Sequence, residues 1–476
     1  MPFLKRSKIG WGLFIALMLG GLTGCGTSGR VIGHGIPDVY DYQIFPSAKL
    51  EKADQPFEFF KVPNITLPPA FLFAFDKKNN VGATTTAEQF FADNDCLAFI
   101  IIRNDTILYE NYFNGHTRES ISQVFSVTKA FVSTLVGIAV SEGKMQLSQP
   151  VSDFLPYFNK GMQADITIDH LLQMTSGLKF TDYKTFGKLL QLYYNNNSEK
   201  MIANAKVKYQ PGTHFAYSSM ATQILGMCLE KAINMPVAKY MQEKLWKPLG
   251  MEFDGQIAVE NGSGREKFFG GVAARPIDLA KFGRLFLNKG NWQGNQLVPE
   301  WWARSSRQRN ECEGSSWRYT NCWWLDTYSG MEKGQEKDDF FAGGFRGQII
   351  YVNPDENMIM IRVGTSESKV NWPYTMSKLS IMPIGPQEND LNEQLLTSLD
   401  GKYKNKAGKL IEISFKDDKA FINDPSDQTQ VELVKEAGFS FVNHQKKVKL
   451  IVNYRNQKIN GLIYEAGSEV GFYQKM

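Results

Sequence analysis

Val124-Phe-Ser-Val-Thr-Lys-Ala-Phe131 sets Ser126 and Lys129 three positions apart, at the head of an uncharged run from Ala130 to Val140. Ser-x-x-Lys occurs four times in the chain, at Ser126/Lys129, Ser141/Lys144, Ser176/Lys179 and Ser366/Lys369, so the spacing by itself decides nothing. Context separates the four. Ser141 falls at a helix end just ahead of Gly143, a natural cap. Ser176 lies in the turn Thr175-Ser-Gly-Leu178, and Ser366 in the polar stretch Thr365-Ser-Glu-Ser-Lys369. Only Ser126 opens a long uncharged helix.

Positions i and i+3 of a helix share a face, with Cβ atoms about 5–6 Å apart, so Lys129 can reach the Ser126 hydroxyl. The helix N-terminus adds partial positive charge and free amide donors beside the serine. Burial disfavours an ammonium and draws its pKa toward neutrality, and a neutral lysine can take a hydroxyl proton. A helix-start lysine whose head reaches water accounts for this stretch equally well. Two further segments tip the balance. His214-Phe-Ala-Tyr217-Ser218-Ser219 places an aromatic hydroxyl and two serines after the turn Gln210-Pro-Gly-Thr213. Phe340-Phe-Ala-Gly-Gly344-Phe-Arg-Gly347 leads glycines into a strand, where backbone can approach a ligand closely and an edge amide can serve an oxyanion.

In this order the three segments resemble the serine β-lactamase and penicillin-binding-protein superfamily, in particular its class C-like branch of esterases, D-peptidases and β-lactamase-related hydrolases. The resemblance runs over about residues 95–380 and includes Ile166-Thr-Ile-Asp-His-Leu-Leu-Gln-Met-Thr-Ser-Gly177 and Gly271-Val-Ala-Ala-Arg-Pro-Ile-Asp-Leu-Ala-Lys-Phe-Gly283. It implies Ser126 as the acylated nucleophile, Lys129 as its proton acceptor and Tyr217 as general base or proton shuttle. It implies an oxyanion hole from the Ser126 and Phe345 amides, with Gly344 and Ser219 in the substrate-binding slots. Two departures stand out. Ser219 replaces an asparagine frequent in the family, though a serine can still hydrogen-bond a substrate amide. Ala342-Gly343-Gly344 fills the Lys-Thr-Gly or His-x-Gly slot, and alanine offers no charge to the carboxylate of a β-lactam or D-Ala peptide. Arg346, on the same strand face as Gly344, could supply that charge from another direction, but it is expected to face solvent, as arginines mostly do. The implied activity is acyl-enzyme hydrolysis of a small-molecule ester or amide. The alternative is a catalytically weak, lipid-anchored binding or sensor protein of the same fold. His170 is expected to be structural, since a Ser-Lys-Tyr scheme has no role for it. A Ser-His-Asp hydrolase is the rival, but the chain holds no Gly-x-Ser-x-Gly elbow.

The 476 residues, 43% hydrophobic and 21% charged, describe an ordinary globular chain of two to three domains. Lys5, Arg6 and Lys8 precede an uncharged run from Ile9 to Gly24, the pattern of a secretory signal. The run ends Leu22-Thr-Gly-Cys25, which resembles the bacterial lipoprotein box. That resemblance implies removal of residues 1–24 and acylation of Cys25, anchoring an exported protein without a spanning helix. Gly26 after the cysteine implies the outer membrane, on its periplasmic or surface face. The formal charge of +4 falls to near neutral once the signal is gone, leaving no footprint for nucleic acid. No Cys-x-x-Cys or His-x-x-x-His occurs, so neither metal nor cofactor is expected. Cys312 and Cys322 bracket a loop-like stretch and form a candidate disulfide in an oxidising compartment. Cys96 and Cys228, in apolar context, read as core thiols.

Residues 25–90 form a Pro-dotted tether and N-terminal extension, 91–383 the catalytic domain, 384–394 a linker and 395–476 a β-rich domain. Leu97–Ile102 with Ile107–Phe113, and Gln348–Val352 with Met358–Val363, read as hairpins. Helices are expected over 126–141, 220–233 and 276–288. Ile411, Ile413 and Phe415 alternate with Glu412, Ser414 and Lys416, the period of half-buried strands. The expected fold class is α/β: an antiparallel sheet flanked by helices with a helical insert, then a small all-β, barrel-like domain. Six of the nine tryptophans fall between Trp292 and Trp324, enough to line an apolar pocket near the third motif.

Overall fold

The computed structural model describes residues 26–61, 67, 87–309, 314–325, 338–366, 370–381, 384, 399–405, 408–416, 419–425, 429–437, 440–443, 445–446, 448–455, 458–466 and 469–475. The signal segment, Cys25, Cys312 and linker residues 385–394 lie outside these.

The central sheet takes β1 (Phe60–Lys61), β2 (Cys96–Arg103), β3 (Thr106–Tyr112), β4 (Tyr319–Thr320), β5 (Trp323–Trp324), β6 (Phe340–Gly344), β7 (Gln348–Asn353) and β8 (Met358–Gly364). Their order across the sheet is β4-β5-β6-β7-β8-β2-β3-β1, antiparallel but for the β1–β3 pair. β2 is an unbroken apolar run because both faces are covered. Ile100 and Ile102 join the core on one side, Phe99 and Ile101 the core on the other.

On the first side lie α1 (Val127–Ser141), α2 (Ser219–Ile233) and α3 (Pro276–Leu287); on the second lie α4 (Trp372–Ser380) and the short helix Ala87–Asp93. α1 carries no charged residue but Lys129, and every residue from Val127 to Ala139 is buried, as expected of a helix enclosed by its neighbours. Gly137 sits where a Cβ would fall 2.3 Å from the Trp302 ring, so the bare backbone is what lets that ring pack on α1. Between α1 and α2 stand Ile168–Leu172, Phe186–Tyr193, Glu199–Ala203 and several 3-10 turns, the helical insert.

The N-terminal extension contributes a strand to the fold. Ser47–Leu50 pairs with Gly255–Ala258 in a four-stranded sheet completed by Val272–Ala274 and Ser122–Gln123. A four-residue strand is too short to show a period in sequence. Ser122–Gln123 runs directly into the Val124–Phe131 stretch, and Val124 N donates to Val272 O at 2.9 Å. Beyond the catalytic region, eight strands from Gly401–Asn405 to Glu469–Lys475 close into a barrel, filled by side chains such as Tyr403, Ile413, Phe415, Leu433 and Leu450.

Candidate active site

Ser126 is the N-cap of α1. Phe125 before it adopts φ 46°, a left-handed conformation uncommon for a bulky residue, and the chain turns tightly there. Thr128 N and Lys129 N already donate to the Phe125 and Ser126 carbonyls. The serine hydroxyl makes no capping bond. It instead accepts from Lys129 Nζ at 2.7 Å.

Lys129 is 1% exposed, and its Nζ also reaches Ser219 Oγ at 3.1 Å and the Phe269 carbonyl at 3.0 Å. Burial pushes the ammonium down from its ordinary 10.5 to about 8, while Asp182 and then Cys322 pull the other way. The Nζ stands 5.1 Å from the centre of the Tyr217 ring. Burial raises the Tyr217 phenol well above its usual range, Asp182 adds to the rise, and a hydrogen bond with Ser126 opposes both. Of the two groups expected to handle the proton, the lysine is thus the one that titrates near neutrality.

Tyr217-Ser218-Ser219 distributes three jobs over three residues. The backbone of Tyr217 accepts from Asp182 N at 3.1 Å. Ser218 caps α2, accepting from Ala221 N at 3.3 Å. Ser219 turns inward and is buried; its N and Oγ donate to Asp182 Oδ1 and Oδ2 at 2.7 and 2.6 Å. The hydroxyl expected to greet a substrate amide is therefore committed to a carboxylate. Asp182, in the loop Phe180-Thr-Asp-Tyr183, carries no sequence pattern and is the site residue that sequence reading missed.

Opposite the serine, β6 ends at Gly344. A Cβ there would lie 2.3 Å from the Val124 carbonyl oxygen and 3.3 Å from Ser126 N. Neither the Ser126 nor the Phe345 amide has an acceptor among the described residues, which leaves both N–H groups for an oxyanion. Ala342, two residues earlier, is 1% exposed and belongs to the core.

Arg346 neither faces solvent nor enters the pocket. In a left-handed conformation (φ 66°), it donates to the Pro37 and Thr365 carbonyls, both at 2.8 Å, and lies 3.8 Å from Asp38. It ties the N-terminal extension to the oxyanion turn, and Pro37 lines the pocket. That cavity, of about 760 Å³, has Phe186, Leu190, Phe269, Trp324 and Phe345 among its walls. Asp182 is the one charged side chain among its described lining residues. Trp323, by contrast, stacks on Phe282 in the core.

Cys322 holds a free, buried thiol beside Tyr319 and Ser133, and its candidate partner Cys312 lies outside the described residues. It lies in the two-residue turn joining β4 and β5 (Asn321 φ 44°, Cys322 φ 68°), which aims its side chain inward. Cys96 and Cys228 are buried free thiols. His170 completes a capping box with Thr167. Ser141 bonds to the Ile138 carbonyl, and Ser366 to Asp95.

The Beta-lactamase family model matches residues 86–371. Over 298 residues the chain is 23% identical to a 6-aminohexanoate-dimer hydrolase of Paenarthrobacter ureafaciens, covering 58% of this chain and 72% of that protein. It is 28% identical over 184 residues to Esterase EstB of Burkholderia gladioli, covering 34% of this chain and 47% of the esterase, so the match spans about half the esterase's length. A solved structure from Bacillus anthracis, provisionally named a 6-aminohexanoate-dimer hydrolase, superposes with a TM-score of 0.60 at 19% identity, over 72% of this chain and 91% of that one. That likeness concerns the fold.

Proposed function

This chain belongs to the Beta-lactamase family of serine hydrolases, and from that premise we propose that it cleaves uncharged esters or amides bearing an apolar group, through an acyl-enzyme on Ser126. The observation that carries the reading is the buried Lys129 Nζ held 2.7 Å from Ser126 Oγ.

Ser126 Oγ attacks the substrate carbonyl carbon and its proton passes to neutral Lys129. The carbonyl electron pair moves onto the oxygen, which the Ser126 and Phe345 amides receive. Collapse of the tetrahedral intermediate expels the alcohol or amine. The leaving group takes the proton back from Lys129 through the protonated Tyr217 phenol, which acts as shuttle rather than resting base. Water then repeats the sequence on the acyl-enzyme and frees the acid.

The substrate class follows from the walls. Aromatic and aliphatic side chains favour an apolar acyl or alcohol group. The one charged side chain among the described lining residues, Asp182, is a carboxylate that repels an anionic substrate. Ester and amide cleavage are named for the Burkholderia and Paenarthrobacter relatives respectively. Cys25 is proposed as a lipid anchor to the outer membrane, on the strength of Leu22-Thr-Gly-Cys25.

The test is intact-mass analysis after exposure to an alkyl fluorophosphonate and turnover of a short-chain p-nitrophenyl ester. Wild type should gain one adduct and hydrolyse the ester, and Ser126→Ala should do neither while keeping its Tm. An adduct retained at another serine overturns the assignment.

A further inference from the structure

We infer that Asp182 is a positioning residue: acting through Ser219, it aims the lone pair of neutral Lys129 at the Ser126 hydroxyl. The inference rests on the acyl-enzyme reading of Ser126 and Lys129 and on the direction of the hydrogen bonds around the lysine.

Lys129 Nζ has three oxygen neighbours, Ser126 Oγ at 2.7 Å, Phe269 O at 3.0 Å and Ser219 Oγ at 3.1 Å. A carbonyl oxygen and a carboxylate can only accept, whereas a hydroxyl has one proton to give and lone pairs to offer. Ser219 Oγ lies 2.6 Å from Asp182 Oδ2, and the same carboxylate holds Ser219 N at 2.7 Å. The one hydroxyl proton of Ser219 therefore goes to Asp182, and the serine faces the lysine with lone pairs alone. A neutral amine carries two N–H bonds and one lone pair. Phe269 and Ser219, both acceptors toward it, take the two N–H bonds. The lone pair is left for the third neighbour, Ser126 Oγ, whose proton it must receive.

Remove the carboxylate and the constraint goes. Ser219 can then rotate and donate to Lys129, competing with Ser126 for the same lone pair. Asparagine at 182 keeps the size but offers N–H as well as C=O, so it no longer dictates the direction. The titratable groups facing Lys129 are Asp182, Tyr217 and Cys322, with Tyr319 next to the last two. Of these, Asp182 is the group whose charge most raises the Lys129 pKa, ahead of Cys322, and burial raises both phenols and the thiol. Replacing it removes support for the ammonium, so the proton leaves Lys129 at lower pH.

The experiment follows the rate of fluorophosphonate labelling at Ser126 against pH, by intact mass, in the full chain and in Asp182→Asn, Ser219→Ala, Ser219→Thr and the Asp182→Asn/Ser219→Ala pair. Asp182→Asn should slow labelling ~10- to 100-fold, part of the ~10²–10⁴ that a positioned proton acceptor contributes. Its acid limb should move to lower pH, and half-saturating probe concentration should stay the same. The pair should label no more slowly than Ser219→Ala alone, because both changes cut one relay. Should Asp182→Asn fail to fold, Ser219→Ala carries the test, with slowing of the same order that Ser219→Thr restores. Wild-type rate and limb position in Asp182→Asn, losses that multiply in the pair, or an effect confined to probe affinity overturn the inference alone. A wild type never labelled at Ser126 overturns the acyl-enzyme reading and this inference with it.

Discussion

Gly344 and Val124 approach so closely that a Cβ on the glycine would lie 2.3 Å from the valine carbonyl oxygen. This contact presses the end of β6, just before Phe345, onto the turn before Ser126. The proposed oxyanion site would thus be a product of two segments more than 200 residues apart in sequence, joined where only a glycine fits.

Gly344→Ala should displace β6 from the turn before Ser126. Loss of one oxyanion donor typically lowers kcat ~10²–10³-fold, and a loss of that size is expected with a neutral ester. The measurement is kcat alongside Tm. Wild-type kcat in a folded Gly344→Ala protein would mean the two amides do not act together.

The rate kcat/KM for a neutral ester should rise with pH through about 8, where the buried Lys129 loses its proton, because the amine and not the ammonium accepts from Ser126. Lys129→Ala combined with Tyr217→Phe should be little worse than the more damaging single change, as groups in one proton-transfer unit are non-additive. Rate losses that multiply would assign the two residues to separate steps.

Neutral p-nitrophenyl esters should turn over faster than benzylpenicillin, whose carboxylate meets Asp182 and no lining cation. Sequence alone suggests that Ala342→Lys narrows that gap. The burial of Ala342 predicts otherwise: an overpacked core and a buried ammonium, costing ~1–3 kcal/mol for the packing alone and a lower Tm without gain of penicillin turnover. Arg346→Ala should leave the ester-to-penicillin ratio unchanged, since its guanidinium is engaged with Pro37 and Thr365. Efficient penicillin hydrolysis that Arg346→Ala abolishes would show a carboxylate site served by that arginine.

Gly137→Ala replaces a helix-interior glycine, a change that in an open helix gains about 1 kcal/mol. Here the new methyl would lie 2.3 Å from the Trp302 ring, and overpacking costs ~1–3 kcal/mol. The net effect should be a fall in Tm, readable by thermal denaturation. A rise would show that the Trp302 side chain yields freely.

The sequence by itself determined whatever depends on short spacing. Ser126 and Lys129 share a face because i and i+3 always do on a helix, and the uncharged run behind them could only be a buried helix. Period-two alternation announced the strands of the C-terminal barrel, and the glycines before Gln348 announced a close approach. Tertiary structure alone decided what depends on segments meeting. Asp182 lies 37 residues before Ser219 and has no motif of its own, yet it bonds both the amide and hydroxyl of that serine. Arg346 could be read as solvent-facing or as a pocket cation, and the fold gave it a third fate, since two carbonyls from distant segments converge on its guanidinium. Cys322 reads in sequence only as a thiol in a loop-like stretch, and the turn at Asn321–Cys322 buries it. Local periodicity fixes which face a residue takes on its own element; which groups stand on the far side of that face is set by packing between elements, and there the surroundings of Lys129 were decided.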